Sequence, residues 1–400
     1  MTRELIHYPA VRAIEDVAFR IGWTPVRVFR LLLPVWQVEV SATITDGRPY
    51  ELIDRFLELG IHKAGLGTVD ELADFLCLDR SLVDRALRVL GAIGHLDEQN
   101  GRLVLTGIGL RSVREGTCYV LTREDRRRLY FDAFSSRPLT RAYYESRTVT
   151  MLTTAEWREH AATRWPYHVL DTDTGLDSGA LAALAALPDR ERFNLPERID
   201  EPRQLGSSLK VRLPVYLVRA VDPDGAVRSV VYTQATDPAR DGNDPELTEL
   251  CEHTPEIAAA LRAETVGPGL LQHVRDWLDK RGVGPLTVDD RGDGLIRATV
   301  RPSAFGEKGL GITTLGSYVP VRDGLLNVWC DDLPTRRRAL LRRLDSIVQA
   351  NTRFTRRGAD ETITRIAAQL ALGPLDTDAA RRLAAEAQMS ALARRLDRLE

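Results

Sequence analysis

Lysine is nearly absent from this chain. Of 55 basic residues only Lys63, Lys210, Lys280 and Lys308 are lysine, so arginine carries almost all the positive charge. With abundant Ala, Leu and Asp, that skew points to a GC-rich bacterial genome and says nothing about fold. The scarcity closes off two chemistries. No lysine is followed by Ser or Thr, so no phosphate-cradling Lys-Ser/Thr loop is present. The residues two before the lysines are Ile61, Ser208, Leu278 and Gly306, so the acid that some nucleases place there is missing. Cysteine is equally sparse. Cys77, Cys118, Cys251 and Cys330 include no Cys-x-x-Cys pair, and Met1 to Leu5 are followed by no apolar leader run. A reduced, cytoplasmic protein is expected, with cysteines used as small core residues.

Other absences narrow the field further. The longest apolar runs, such as Leu31 to Leu33, are far too short to span a membrane. There is no low-complexity tract and no repeat at a solenoid period. The seven histidines, His7, His62, His95, His160, His168, His253 and His273, are scattered without metal-ligand spacing, and there is no Gly-x-Ser-x-Gly elbow. Cys251-Glu252-His253 places three reactive types in a row, but chain neighbours point apart, so Cys251 reads as a core residue. A net charge of -2 excludes a basic nucleic-acid coat or a polybasic membrane binder. No cofactor and no metal are expected.

What remains is an ordinary globular balance, 44% apolar and 28% charged, in 400 residues. That length is enough for about two to three domains. The expected class is α+β multidomain. An arm with a β segment covers 1–48, with a helix over Ala10 to Arg20 broken at Pro25 and strand alternation at Val38, Val40 and Ala42. Residues 49–116 form a helical module. Residues 117–190 read as arginine-rich, helical and linker-like. An α+β domain follows over 191–330, with a hairpin about Asp222-Pro223-Asp224-Gly225 and a helix starting at Thr254-Pro255-Glu256, with Thr254 as its cap. Basic amphipathic helices fill 331–400.

The module is the informative segment. Tyr50 to Ala64 reads as an amphipathic helix with Leu52, Ile53, Phe56, Leu57 and Ile61 inward. Thr68 and Glu71 make a capping box for a short helix with Leu72, Phe75 and Leu76 buried. After a turn at Cys77 to Asp79, Ser81 to Ile93 forms a third helix with Leu82, Val83, Ala86, Leu87, Leu90 and Ile93 on its core face. Two short strands follow about Asn100-Gly101, and Thr106 to Gly109 opens another helix. Gly94-His95-Leu96, Gly101-Arg102 and Leu105-Thr106 to Gly109 resemble the closing pattern of bacterial winged helix-turn-helix regulators. The resemblance covers about one sixth of the chain, and a fold does not fix a function.

It implies a third helix that enters a DNA major groove, with Arg80, Ser81, Arg85 and Arg88 in contact and Arg102 reaching the backbone from the wing. Arg126 and Arg127, in the run Arg123 to Arg128, and Arg336, Arg337 and Arg342, in the basic helix up to Arg357, would extend the footprint. The equal alternative is that these arginines are a solvated face. Charge bears on the choice. Between Thr68 and Glu115 there are six arginines and eight acids, whereas DNA binders concentrate positive charge.

Three functions stay open. The first is a non-enzymatic DNA-binding protein. The second is a protein-interaction subunit of a multisubunit bacterial machine, such as a phage-defence system, with its partner encoded nearby. The third is an enzyme with an unfamiliar site. Gly306, Gly309, Gly311 and Gly316 with Lys308 read as a strand connection rather than a ligand loop. Leu383, Ala387, Leu392, Leu396 and Leu399 allow either inward packing or a homodimer.

Overall fold

A computed structural model describes residues 5–6, 9–160, 167–196, 199–235, 242–306, 309–322, 324–350 and 355–399. It is mixed α and β, and the chain divides into two compact units. One comprises 1–35, 142–174 and 210–400; the other comprises 36–141 and 175–209. The helical module, residues 49–116, lies within the second, smaller unit. Two long strands, β1 (Thr24–Arg48) and β5 (Ile199–Val221), carry the chain from one unit to the other.

The smaller unit holds the module: α1 (Leu52–Ala64), α2 (Val69–Leu76), α3 (Arg80–Ala92), β2 (Leu96–Gln99), β3 (Arg102–Leu105) and α4 (Gly107–Glu115). Local chemistry sets these ends. Thr68 and Glu71 form the reciprocal capping box of α2. Cys77 ends that helix in the left-handed region at φ 52°, and Asp79 caps α3 by accepting from the Ser81 backbone N–H at 2.8 Å. Asn100 and Gly101, both at positive φ, turn β2 into antiparallel β3. Gly109 has to be glycine, because a Cβ there would lie 2.4 Å from the His95 carbonyl oxygen. Leu57, Ile61, Leu72, Val83, Leu87 and Leu90 form the core between the helices.

After α4 comes β4 (Cys118–Asp132), a 15-residue strand where pieces of helix were expected. The reason is period: Leu129 and Phe131 point into a core while Arg126 and Arg128 are exposed. High arginine content hid a two-residue alternation. That core also holds Val38, Val40 and Ala42 of β1 and Leu184 of α5 (Ala180–Ala186).

In the larger unit the N-terminal helix Ala10–Glu15 widens into a π turn, Asp16–Ile21, and ends at Gly22 (φ 87°), before Pro25 is reached. β5 pairs antiparallel with β6 (Val227–Tyr232), Tyr216 opposite Tyr232 and Val221 opposite Val227, across the expected hairpin turn. Residues of both parities on β5 are buried: Val211, Leu213 and Val215 on one side, Tyr216 and Val218 on the other. Helices α6 (Pro245–His253) and α7 (Pro255–Ala263) follow. Thr254 does not cap α7 with its side chain; its hydroxyl donates back to the Leu250 carbonyl at 2.6 Å.

Next come α8 (Leu270–Asp279) and a sheet of four strands: β7 (Pro285–Asp290), β8 (Leu295–Val300), β9 (Tyr318–Val321) and β10 (Gly324–Trp329), in the order β9-β10-β8-β7 with β10 parallel to β8. The glycine-rich stretch 302–316 connects β8 to β9; Lys308 lies outside the described residues. The C-terminal helices α9 (Leu333–Ala350), α10 (Arg356–Gln369), α11 (Thr377–Glu386) and α12 (Ser390–Asp397) close the chain. Leu392 and Leu396 pack inward on Leu341, Leu344 and Ile363, and Leu383 and Leu399 lie against the same core, so these leucines are used within the chain. Among the described residues no helix is long and apolar enough to cross a membrane.

Candidate functional site

The third helix of the module was expected to offer a row of free arginines. Most of that row is occupied. Arg80, the first residue of α3, is exposed and pairs with Asp70 at 2.9 Å. Arg88 pairs with Asp84 one turn earlier. The Ser81 hydroxyl donates to Asp79, and hydrogen bonds from Ser81 hold the Asp79 carboxyl below its ordinary pKa. Arg102 on the hairpin reaches back across the module instead of outward. It donates to the Gly65 carbonyl at 3.0 Å and to both carboxylate oxygens of Glu71, at 3.0 and 3.3 Å. Glu71 also accepts from the Gly67 backbone N–H, so its carboxyl is held low by that bond and by Arg102. Arg102 therefore clips β3 to the start of α2. Arg111 pairs with Glu115 at 3.2 Å. Of the six arginines between Thr68 and Glu115 only Arg85 and Arg114 have no acidic partner among the described residues.

Several acids, in contrast, are free. Asp74, Asp97 and Glu98 are exposed and pair with no cation among the described residues. The hairpin tip is thus acidic on its β2 side.

The larger departure concerns apolar residues. Helical periodicity puts Leu52, Phe56, Phe75 and Leu82 in the core. They are 72%, 49%, 62% and 40% exposed, and Val89 is 45% exposed. The helices bury narrower stripes than their sequences allow: Leu57 and Ile61 on α1, Leu72 and Ala73 on α2, Val83, Leu87 and Leu90 on α3. On α3 the spare apolar residues share one line. Leu82, Arg85 and Val89, spaced three and four apart, run along its outward face. A scattered exposed leucine needs no explanation, but five large apolar side chains on three short helices do.

Beneath this surface lies a polar cluster that sequence reasoning missed. Glu58 of α1 and His95 before β2 are both fully buried and in contact through the carboxylate and Nδ1. The Tyr50 hydroxyl donates to the other Glu58 oxygen, and His95 Nε2 donates to the Tyr119 carbonyl at the start of β4. Ser112 of α4 accepts from the Tyr119 backbone N–H at 3.0 Å. Burial by itself disfavours a charged His95, but Glu58 and the Tyr119 carbonyl outweigh it, so the His95 pKa is raised. Burial and Glu58 push the Tyr50 hydroxyl far up. Being enclosed, this cluster can pin four elements together but cannot meet a substrate. The Gly94-His95-Leu96 tripeptide was its only sequence signal.

The other expected contacts also lie largely within the protein. Arg127 pairs with Asp125 and donates to the Asn194 carbonyl at 3.4 Å, while Arg126 is exposed on β4; the Arg123 side chain lies outside those described. Arg336 donates to the Leu370 and Ala371 carbonyls at 3.0 and 2.9 Å and so caps the end of α10. Arg337 and Arg342 are exposed. Arg343, next to Arg342, is buried. It donates to Thr313 O at 2.8 Å, Leu315 O at 2.6 Å and Ser317 Oγ at 2.8 Å, and burial lowers its pKa to about 10. Arg353 lies outside the described residues.

Among the described residues no group of three His, Cys, Asp or Glu side chains is placed to hold a metal ion. No protein-family model, no curated protein and no solved structure matches this chain.

Proposed function

We propose that residues 50–116 form a winged helix-turn-helix that docks a partner protein, and that the chain serves as an interaction subunit of a multisubunit bacterial assembly. The observation that carries this reading is the outward line Leu82, Arg85 and Val89 on α3. Two of its three side chains are apolar, and the arginines at either end of the helix are engaged by the module's own acids. A DNA groove asks for the reverse: free guanidinium groups for phosphates and base edges, and few acids. The partner this surface fits presents apolar side chains ringed by basic groups, the complement of Asp74, Asp97 and Glu98.

The test is affinity purification from the native host with the wild type and a Leu82→Glu/Val89→Glu variant. Both residues are exposed, so the variant keeps its fold. A defined complex held by the wild type and lost by the variant supports docking through α3. A complex retained by the variant moves the interface elsewhere.

A second reading, DNA binding, rests on Arg85. It is exposed at the middle of α3 with no acidic partner among the described residues, which is where a base-reading side chain sits.

A further inference from the structure

A cleft of about 520 Å³ opens in the larger unit between the β5–β6 hairpin, α6 and α7. Its volume lies within the range of roughly 300–1,000 Å³ usual for small-molecule sites. Two guanidinium groups line it, Arg219 from β5 and Arg262 from the last turn of α7. Neither has a hydrogen-bond or ion-pair partner among the described residues.

The contrast with the neighbouring cations is informative. Phe29 is clasped by two guanidinium groups, Arg27 at 4.6 Å and Arg219 at 5.2 Å from the ring centre. Arg27 is satisfied, donating to the Glu264 carbonyl at 2.6 Å. Arg219 lies on the same ring with its N–H groups unanswered, and it is half-buried. Arg228, at the edge of the cleft, is taken by Asp222 at 3.1 Å. Of the acids, Glu252 is occupied in part by the Ser229 backbone N–H at 3.0 Å, and Asp293 acts on Arg219 only through space. Burial and the like charge of Arg262 both make the charged form of Arg219 costly, and Asp293 offsets this only in part. A half-buried guanidinium beside an exposed one, neither with an acceptor among the described residues, is what a dianion repairs, because each N–H···O bond to a charged oxygen is short and strong.

We propose that this cleft binds a small phosphate monoester, with its phosphate between Arg219 and Arg262. A phosphate monoester carries about -1.5 to -2 charges near pH 7, matching the two cations. The cleft is larger than a single ion needs, and Val227, Ala258 and Leu261 supply an apolar wall for the organic part. Asp293 and His253 are polar groups within the same lining, suited to hydroxyl groups on that part. The His253 Nδ1 is already engaged by the Glu249 carbonyl at 2.9 Å, which leaves Nε2 for the ligand. This site is independent of the helical module and stands or falls separately from it.

The experiment is isothermal titration of the full chain with ribose 5-phosphate, inorganic phosphate and succinate, repeated on Arg262→Ala and Arg219→Met. Arg262 is exposed, and methionine keeps the apolar stem over Phe29, so both variants retain the fold; thermal melts check this. Saturable binding of the ester is expected, tighter than inorganic phosphate, and weakened about tenfold by either substitution. No saturable heat with either phosphate at millimolar concentration overturns the proposal, as does binding that both variants retain. Succinate binding as tightly as the ester, with the same arginine dependence, overturns the phosphate assignment. Binding of inorganic phosphate alone overturns the ester.

Discussion

The helices α3 and α9 look alike in sequence and end differently in the structure. Both carry arginines interleaved with leucines at helical spacing. On α3 the arginines stay at the surface and are neutralised by acids of the same module, Asp70 for Arg80 and Asp84 for Arg88. On α9 two arginines turn away from solvent and are answered by backbone carbonyls, Arg336 at the end of α10 and Arg343 at the segment 313–317. Counting charge along a sequence treats the two alike. What distinguishes them is the acceptor: a carboxylate close in the chain for Arg80 and Arg88, and a backbone carbonyl of a distant segment for Arg336 and Arg343. A basic run is therefore a surface only where no carbonyl or carboxylate has claimed it, which in α3 leaves Arg85 and in α9 leaves Arg337 and Arg342 among the candidates.

The largest effect is expected where a buried charge loses its partner. Glu58→Ala leaves the buried Nδ1 of His95 without its carboxylate partner and should destabilise the protein by about 3–5 kcal/mol, read as a lower urea midpoint. An unchanged midpoint would remove Glu58 from the account. Next, Arg343→Ala takes away three charge-assisted hydrogen bonds and should cost about 2–3 kcal/mol. Its neighbour Arg342→Ala should stay within about 0.5 kcal/mol, being exposed. Equal costs at the two positions would erase the distinction between claimed and unclaimed arginines.

A smaller effect is tied to pH. The His95 pKa is raised in the fold, so the stability that its charged form contributes is complete below its ordinary value of about 6.5 and is lost as pH rises through the raised value. The stability gap between wild type and His95→Gln should accordingly shrink as pH climbs from neutral. A gap that widens with pH would mean that His95 is neutral in the fold. Arg102→Ala should also have a small effect. Its contacts with Glu71 and Gly65 are exposed, so a loss of about 1 kcal/mol or less is expected, together with loosening of the hairpin, measurable by amide exchange at Leu103.

How far the sequence was legible follows from the same contrast. Features written in a few adjacent residues could be read: the Thr68 and Glu71 capping box, the Asn100-Gly101 turn and the Asp222 to Gly225 hairpin. Features that depend on distant partners could not. Leu82 fits a helical core stripe as well as Val83 does, and only the width of the packed stripe decides that one is buried and the other is not. The strand β4 was hidden because arginine is tolerated in either kind of element, and its two-residue alternation is visible only in the short stretch around Leu129 and Phe131. The Glu58 and His95 contact joins residues 37 apart and leaves no local mark. The Arg219 and Arg262 cleft was missed for the same reason, since β5 and α7 meet only in the fold.

The central claim is that the outward face of α3 meets protein and not DNA. Fluorescence anisotropy of a random-sequence duplex, titrated with the protein across a salt series beside an Arg85→Glu/Arg88→Glu variant, tests it most directly. The account predicts weak binding with little dependence on salt and no difference between the two proteins. Tight binding with a steep negative salt slope that the variant loses would contradict it and assign α3 to the major groove.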